Sequence, residues 1–174
     1  MKPLLAVVIL LGACSAPSGA GGAGAGADTF VASTQTFQPF HGWASFPIDG
    51  QPLLGSPHLC GPRTVYLNAR PAHGSTRFPV GTVIVKECTA DPVDQRKVFA
   101  MVKRGGGYNS DGATDWEWFE LHDEADGSVS VIWRGVAPPA GESYGGTGSA
   151  CNDCHAAARD NDFVQSAPLT LTSF

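Results

Sequence analysis

The sequence predicts an α+β fold: a mainly antiparallel β-sheet in a single domain, with a short N-terminal helix and a C-terminal helix. Three observations predict it. Short runs rich in β-branched and aromatic residues recur through the middle of the chain, separated by Gly, Pro and Asp clusters that turn the backbone. No βαβ unit interrupts them, so successive strands pair through short turns. After a Gly/Pro-rich stretch at 135–148, Ser149 or Asn152 can cap a helix running to about Val164.

The chain of 174 residues opens with Met1-Lys2-Pro3 and the apolar run Leu4 to Leu11, a charged start and a short hydrophobic stretch of secretory-signal length. It falls well short of the ~20 residues that span a bilayer as a helix. Leu11-Gly12-Ala13-Cys14 resembles a bacterial lipobox, which makes 1–13 the signal peptide and Cys14 the lipid-bearing residue. The competing reading is ordinary cleavage with Cys14 lost or spare. Residues 14–27 are almost entirely Gly, Ala and Ser after the cysteine, too little to bury, and form a tether. The folded domain is therefore 28–174. An exported, membrane-anchored lipoprotein of the bacterial periplasm or outer surface follows from this leader. The net charge of −5 and the lack of a Lys/Arg cluster argue against a nucleic-acid partner.

Within the domain, Thr36 to Trp43 is aromatic but broken by Pro39 and Gly42, a packed segment or short helix. Arg63 to Asn68 and Thr82 to Cys88 read as strands paired around a turn at Ala72 to Ser75, and Lys97 to Arg104 as a third. Trp116 to Leu121 alternates bulky and charged side chains, and Ser128 to Trp133 returns across the turn Asp123 to Gly127. The acidic Asp123, Glu124 and Asp126 lack the EF-hand spacing and read as a solvated hairpin tip. Gly105-Gly106-Gly107 has no helix directly after it and reads as a plain connection.

Five cysteines divide into three jobs. Besides Cys14, Cys60 and Cys88 are a disulfide candidate in an oxidising compartment, worth about 3–4 kcal/mol in the chain-entropy picture. Two separate thiols, with His58 and Cys60 as half of a metal site, are the alternative. Cys151-Asn152-Asp153-Cys154-His155 is a C-x-x-C-H run, the pattern of covalent c-type haem attachment. Its two thiols meet the two vinyl groups of the haem, and the adjacent His155 reaches the iron. A thioredoxin-like pair or half a zinc site lacks the surrounding strand pattern or further ligands. The sixth iron position separates the functions, since electron carriers fill it with Met or His. Met101 sits mid-strand as a core residue, and His41, His58, His73 and His122 stand in turn-like contexts. An open distal position is expected.

Arg63-Thr64-Val65-Tyr66-Leu67-Asn68, Phe78 to Glu87, Asp115-Trp116-Glu117-Trp118, and Cys151 to His155 followed by Asn161-Asp162-Phe163-Val164 together resemble the cytochrome P-460 and cytochrome c′-beta family. The resemblance spans about Phe40 to Val164. It implies a largely antiparallel β, homodimeric periplasmic protein with one haem c. It implies thioethers at Cys151 and Cys154, axial ligation by His155, and Lys86 in the place of the lysine that becomes joined to the haem ring. Arg63 also matches, with its face of the sheet dependent on register. Glu142 and Tyr144 are candidates for the base that takes protons from a bound nitrogen compound, and Phe78 or Phe46 for a cap over the distal face. The expected activity is oxidation of hydroxylamine or a related small nitrogen compound, with electrons passed to a redox partner cytochrome. Binding of nitric oxide or carbon monoxide without catalysis, or simple electron transfer, are the alternatives. Cys60, Cys88 and the lipid anchor depart from the family pattern.

Overall fold

The computed structural model describes residues 28–49, 61–89, 96–142 and 150–174. The expectations for the leader, Cys14, the tether, His58, Cys60 and Tyr144 lie outside the described residues. Six strands form one antiparallel sheet in chain order: β1 (Ala44–Ile48), β2 (Arg63–Leu67), β3 (Val83–Cys88), β4 (Val98–Lys103), β5 (Trp116–Asp123) and β6 (Val129–Gly135). Each strand pairs with its neighbour in sequence, the simple meander that short turns allow. Two helices flank the sheet, α1 (Thr34–Phe37) and α2 (Ala150–His155).

The sheet is buried on both faces. On one, Val65, Leu67, Ile84, Met101, Trp116, Trp118 and Trp133 pack against Phe163, Val164, Leu169 and Leu171 from the C-terminal segment. On the other, Tyr66, Val83, Val85, Val98, Ala100, Val102 and Phe119 pack against Phe37 and Phe40. Phe37 and Phe40 are 0% exposed, so the aromatic N-terminal stretch is packed into the core. Two-sided burial also explains why the charged positions of Trp116 to Leu121 do not mark a solvent face. Glu117 is enclosed and accepts from Arg134 Nε and Nη2 at 2.7 Å each and from Arg104 Nη1 at 3.1 Å.

Three boundaries differ from the sequence reading. β1 is a strand although it contains Pro47, because it lies at the sheet edge, where a missing N–H is tolerated. The C-terminal helix stops at His155 and continues as a 3-10 segment over Ala156–Asn161, kinked at Ala158 (φ −111°, ψ 29°) and ended by Asp162 in the left-handed region (φ 52°). Asp123 is 3% exposed, not part of a solvated tip: only the residues beyond it turn in solvent, where Glu124 N–H bonds the Ser128 carbonyl at 2.9 Å. Cys88 is disulfide-bonded. Its register partner is Arg63, three residues after the Cys60 that the sequence offers as its mate.

Register carries one row of side chains straight across the sheet on its C-terminal face. Phe46 pairs with Val65, Val65 with Lys86, Lys86 with Phe99, Phe99 with Glu120, and Glu120 with Trp133. A bulge between Glu120 and Leu121 makes the last step work. Leu121 pairs with Val131 while Glu120 pairs with Trp133, so the intervening Ile132 is extruded, 57% exposed. The extra residue lets Trp133 and Val131 face opposite sides of the sheet.

Candidate functional site

Positions i and i+3 of a helical turn lie on one face, and α2 uses this to set Cys151 and Cys154 side by side. Both are free thiols. With His155 they line a cavity of about 260 Å³ whose other wall is the sheet, including Arg63, Val65, Ile84, Lys86, Phe99, Met101, Trp118 and Trp133. The wall is mostly apolar, with Lys86 and Arg63 as its cations.

Asn152 seats the motif on the sheet. Its Oδ1 accepts from Trp118 Nε1 at 2.9 Å, Asn109 Nδ2 at 2.8 Å and the Ala113 N–H at 3.3 Å. Its Nδ2 donates to Asn109 Oδ1 at 3.0 Å and to the Val136 carbonyl at 3.2 Å. This amide lies so close to Gly112 that a Cβ there would meet its Cγ at 2.3 Å; the glycine makes room for it. The sequence reading of Asn152 as a helix cap is replaced by this bridging role. Gln165 adds a hydrogen bond from Nε2 to the Cys154 carbonyl.

His155 Nδ1 lies 2.6 Å from the Phe163 carbonyl. A carbonyl only accepts, so Nδ1 carries the proton and donates, and Nε2 keeps the lone pair that a metal requires. The ring also packs on Trp118, with centroids 4.5 Å apart. The Phe163 carbonyl is itself aimed by two successive left-handed residues, Asp162 (φ 52°) and Phe163 (φ 67°), a conformation that costs on the order of 1–3 kcal/mol per non-glycine residue. Their surroundings hold them there. The Asp162 carboxylate accepts from the Phe78 N–H at 2.9 Å and Lys103 Nζ at 2.7 Å, and its carbonyl accepts from Trp116 Nε1 at 2.7 Å. The Phe163 N–H returns to the Ala158 carbonyl at 2.8 Å.

Lys86 sits with Nζ 5.3 Å from the centroid of the Phe99 ring. Burial, and secondarily the Arg63 charge, pull its pKa down to about 8, with Cys154 and Cys151 opposing. The amine is therefore partly neutral near neutral pH, when an ordinary lysine is fully charged. Between pH 8 and the ordinary lysine value of 10.5 the unfolded chain holds a proton that the folded chain has shed, so Lys86 adds stability as pH rises through that window. Burial pushes the Cys151 thiol up to about 11, which keeps it protonated and slow to oxidise.

The sequence-predicted residues divide. Cys151, Cys154, His155, Lys86 and Arg63 meet at the cavity. Arg63 precedes Val65 by two on β2, and Val65 pairs with Lys86, so both cations face the same side. Phe78 does not join them: it packs in the core at 5.9 Å from Trp116 and 6.3 Å from Phe174, so it caps nothing there. Glu142 is exposed in a turn, its N–H bonded to the Pro139 carbonyl at 3.1 Å, away from the cavity wall. Met101 is both core and cavity wall. One residue was missed. Glu120 is 7% exposed, stands beside Phe99 and Trp133 in the cavity-facing row, and accepts from Trp133 Nε1 at 2.9 Å. The only signal for it in sequence is its two-residue spacing from Trp118.

Chemically, two adjacent thiols, an imidazole with Nε2 presented and apolar walls can hold a flat, apolar, metal-bearing ring by covalent and axial bonds. A scan of protein-family models, a search of curated proteins and a search of solved structures each find no match to this chain.

Proposed function

We propose that this chain is an exported, lipid-anchored monohaem c-type cytochrome of the cytochrome P-460 type that oxidises hydroxylamine or a related small nitrogen compound. The observation that carries the reading is that Lys86, from the centre of the sheet, and Cys151, Cys154 and His155, from the C-terminal segment, line one cavity. Bound there, a haem would supply a redox-active iron able to take up electrons from nitrogen.

The chain's own residues do the rest. Cys151 and Cys154 would hold the ring as thioethers, each S–H adding across a vinyl group with no net change in electrons. His155 Nε2 would ligate the iron, its imidazole held in place by the Phe163 carbonyl and Trp118. Lys86 offers a partly neutral amine. A bond from Nζ to a ring carbon would replace one N–H and one C–H, releasing two protons and two electrons, and would need a two-electron oxidant of the peroxide class. Oxidising hydroxylamine also releases protons, and Glu120, a buried carboxylate paired with Phe99 and held by Trp133 Nε1 at 2.9 Å and Lys97 Nζ at 3.4 Å, is a candidate to receive them. Electrons leave to a redox partner cytochrome, from a homodimer held at the membrane by its lipid.

The second reading is a binder of nitric oxide or carbon monoxide, and the apolar wall of Ile48, Val65, Ile84, Phe99 and Met101 favours it. The test is the visible spectrum of the ferrous protein, together with hydroxylamine turnover against an artificial electron acceptor. A band displaced far to the red, with turnover, is expected. An ordinary five-coordinate high-spin spectrum without turnover replaces it with gas binding, and a sharp low-spin spectrum replaces it with electron transfer.

A further inference from the structure

The face of the sheet opposite the cavity carries a cluster that the proposed function does not use. His41, from the 3-10 turn Phe40–Gly42, reaches over the sheet to Glu87 of β3 and Asp123 at the end of β5. His41 Nε2 lies 3.3 Å from Asp123 Oδ2 and 3.8 Å from Glu87 Oε1. One ligand atom from each residue falls within 4.8 Å of the others. Glu87 and Asp123 are 1% and 3% exposed, whereas His41 is 48% exposed and opens the cluster to solvent.

Asp123 is the telling member. Among the described residues neither of its carboxylate oxygens accepts a hydrogen bond, although both are buried. A buried carboxylate left so costs stability unless something charged meets it. Glu87, by contrast, is oriented: Tyr66 donates to Oε2 at 2.8 Å and Arg96 Nη1 to Oε1 at 2.6 Å. Ligating carboxylates are commonly steadied by such outer hydrogen bonds. When both carboxylates are ionised, one guanidinium leaves the cluster one negative charge in excess.

We propose that His41, Glu87 and Asp123 form a binding site for a divalent transition metal of the zinc class, with water completing the shell on the exposed side of His41. One nitrogen and two carboxylate oxygens are ligands such an ion accepts, at about 2.0–2.2 Å. Two ligand atoms at that distance from a tetrahedral ion stand about 3.4 Å apart, close to the observed separation of His41 from Asp123. The charge balance becomes one positive, and the unsatisfied oxygens of Asp123 acquire their partner. The site stands apart from the C-x-x-C-H motif and is independent of whether a haem is bound.

Zinc chloride is the probe, titrated calorimetrically near neutral pH into protein whose Cys151 and Cys154 are occupied by haem or alkylated, so that thiols do not compete. One zinc per chain with a micromolar or tighter dissociation constant is expected. Binding should weaken at least about tenfold in His41→Ala and in Asp123→Asn, since loss even of a partner that only orients a ligand costs about 10–100-fold. His122→Ala, whose ring approaches Glu124 at the hairpin tip at 3.8 Å, should bind as the parent does. His41 is half-exposed, so its variant tests the site without endangering the fold. X-ray absorption at the zinc edge should show only nitrogen and oxygen neighbours. No binding, sulfur in the shell, or an unchanged affinity in His41→Ala overturns the site.

Discussion

Asp162→Ala is expected to destabilise the fold by about 3–5 kcal/mol, the cost of leaving a buried charge without its partner. Lys103 and Asp162 are 3% and 4% exposed at the side chain and meet at 2.7 Å, so removing the carboxylate leaves a buried ammonium to the more distant Asp115 Oδ2 at 4.0 Å and Thr114 carbonyl at 3.4 Å. The same change frees the Phe78 N–H and loosens the left-handed pair whose second carbonyl holds His155. A fall in melting temperature on the order of 10 °C corresponds to that loss for a domain of this size. Asp162→Asn keeps the shape and the tolerance for a left-handed backbone but not the charge, and should fall between parent and alanine. Chemical denaturation of the three proteins measures the order. A loss under about 1 kcal/mol in Asp162→Ala shows that the C-terminal segment is not held as described.

Lys86→Ala should abolish the hydroxylamine chemistry, lowering turnover roughly 100-fold or more, as loss of an essential proton-transferring or bond-forming group does. It should also separate the peptide bearing residue 86 from the haem peptide in a digest, if the proposed bond from the amine to the ring forms in the parent. Lys86→Arg is the sharper variant. It keeps a cation above Phe99 but has no amine that sheds its proton near pH 8, and it should fail as fully as alanine. Carbon monoxide binding should survive both. Parent-level turnover in Lys86→Arg removes Lys86 from the reaction and leaves the apolar cavity as a gas site.

Much of the sheet was readable in order because local chemistry specifies it. Thr82-Val83-Ile84-Val85 is β-branched throughout, and Asp123 to Gly127 supplies turn residues between two aromatic runs. β1 was not readable, since a proline argues against a strand unless the strand is known to be at an edge. The helix after Cys151 was read too long because its end is set by long-range bonds. The carboxylate of Asp162 is held by Lys103 and Phe78, 59 and 84 residues away, and nothing local announces that.

The site divides along the same line. Cys151, Cys154 and His155 are adjacent in sequence, so spacing alone assembles them. Lys86 and Arg63 depended on register, which the pairing of Val65 with Lys86 fixes. Asp123 was read as part of a solvated hairpin tip because a carboxylate buried on a two-sided sheet looks, in sequence, like one on a solvent face. The bulge at Ile132, which brings Trp133 onto the cavity side, has no marker such as glycine.

The account turns on whether this chain carries a haem through Cys151 and Cys154. The most direct measurement is the pyridine haemochrome spectrum of purified, denatured protein made with working c-type maturation machinery, beside the Cys151→Ala, Cys154→Ala double variant. One covalently retained haem per chain in the parent and none in the variant is the predicted result. A colourless parent, or pigment that washes out of it on denaturation, contradicts the account at its root.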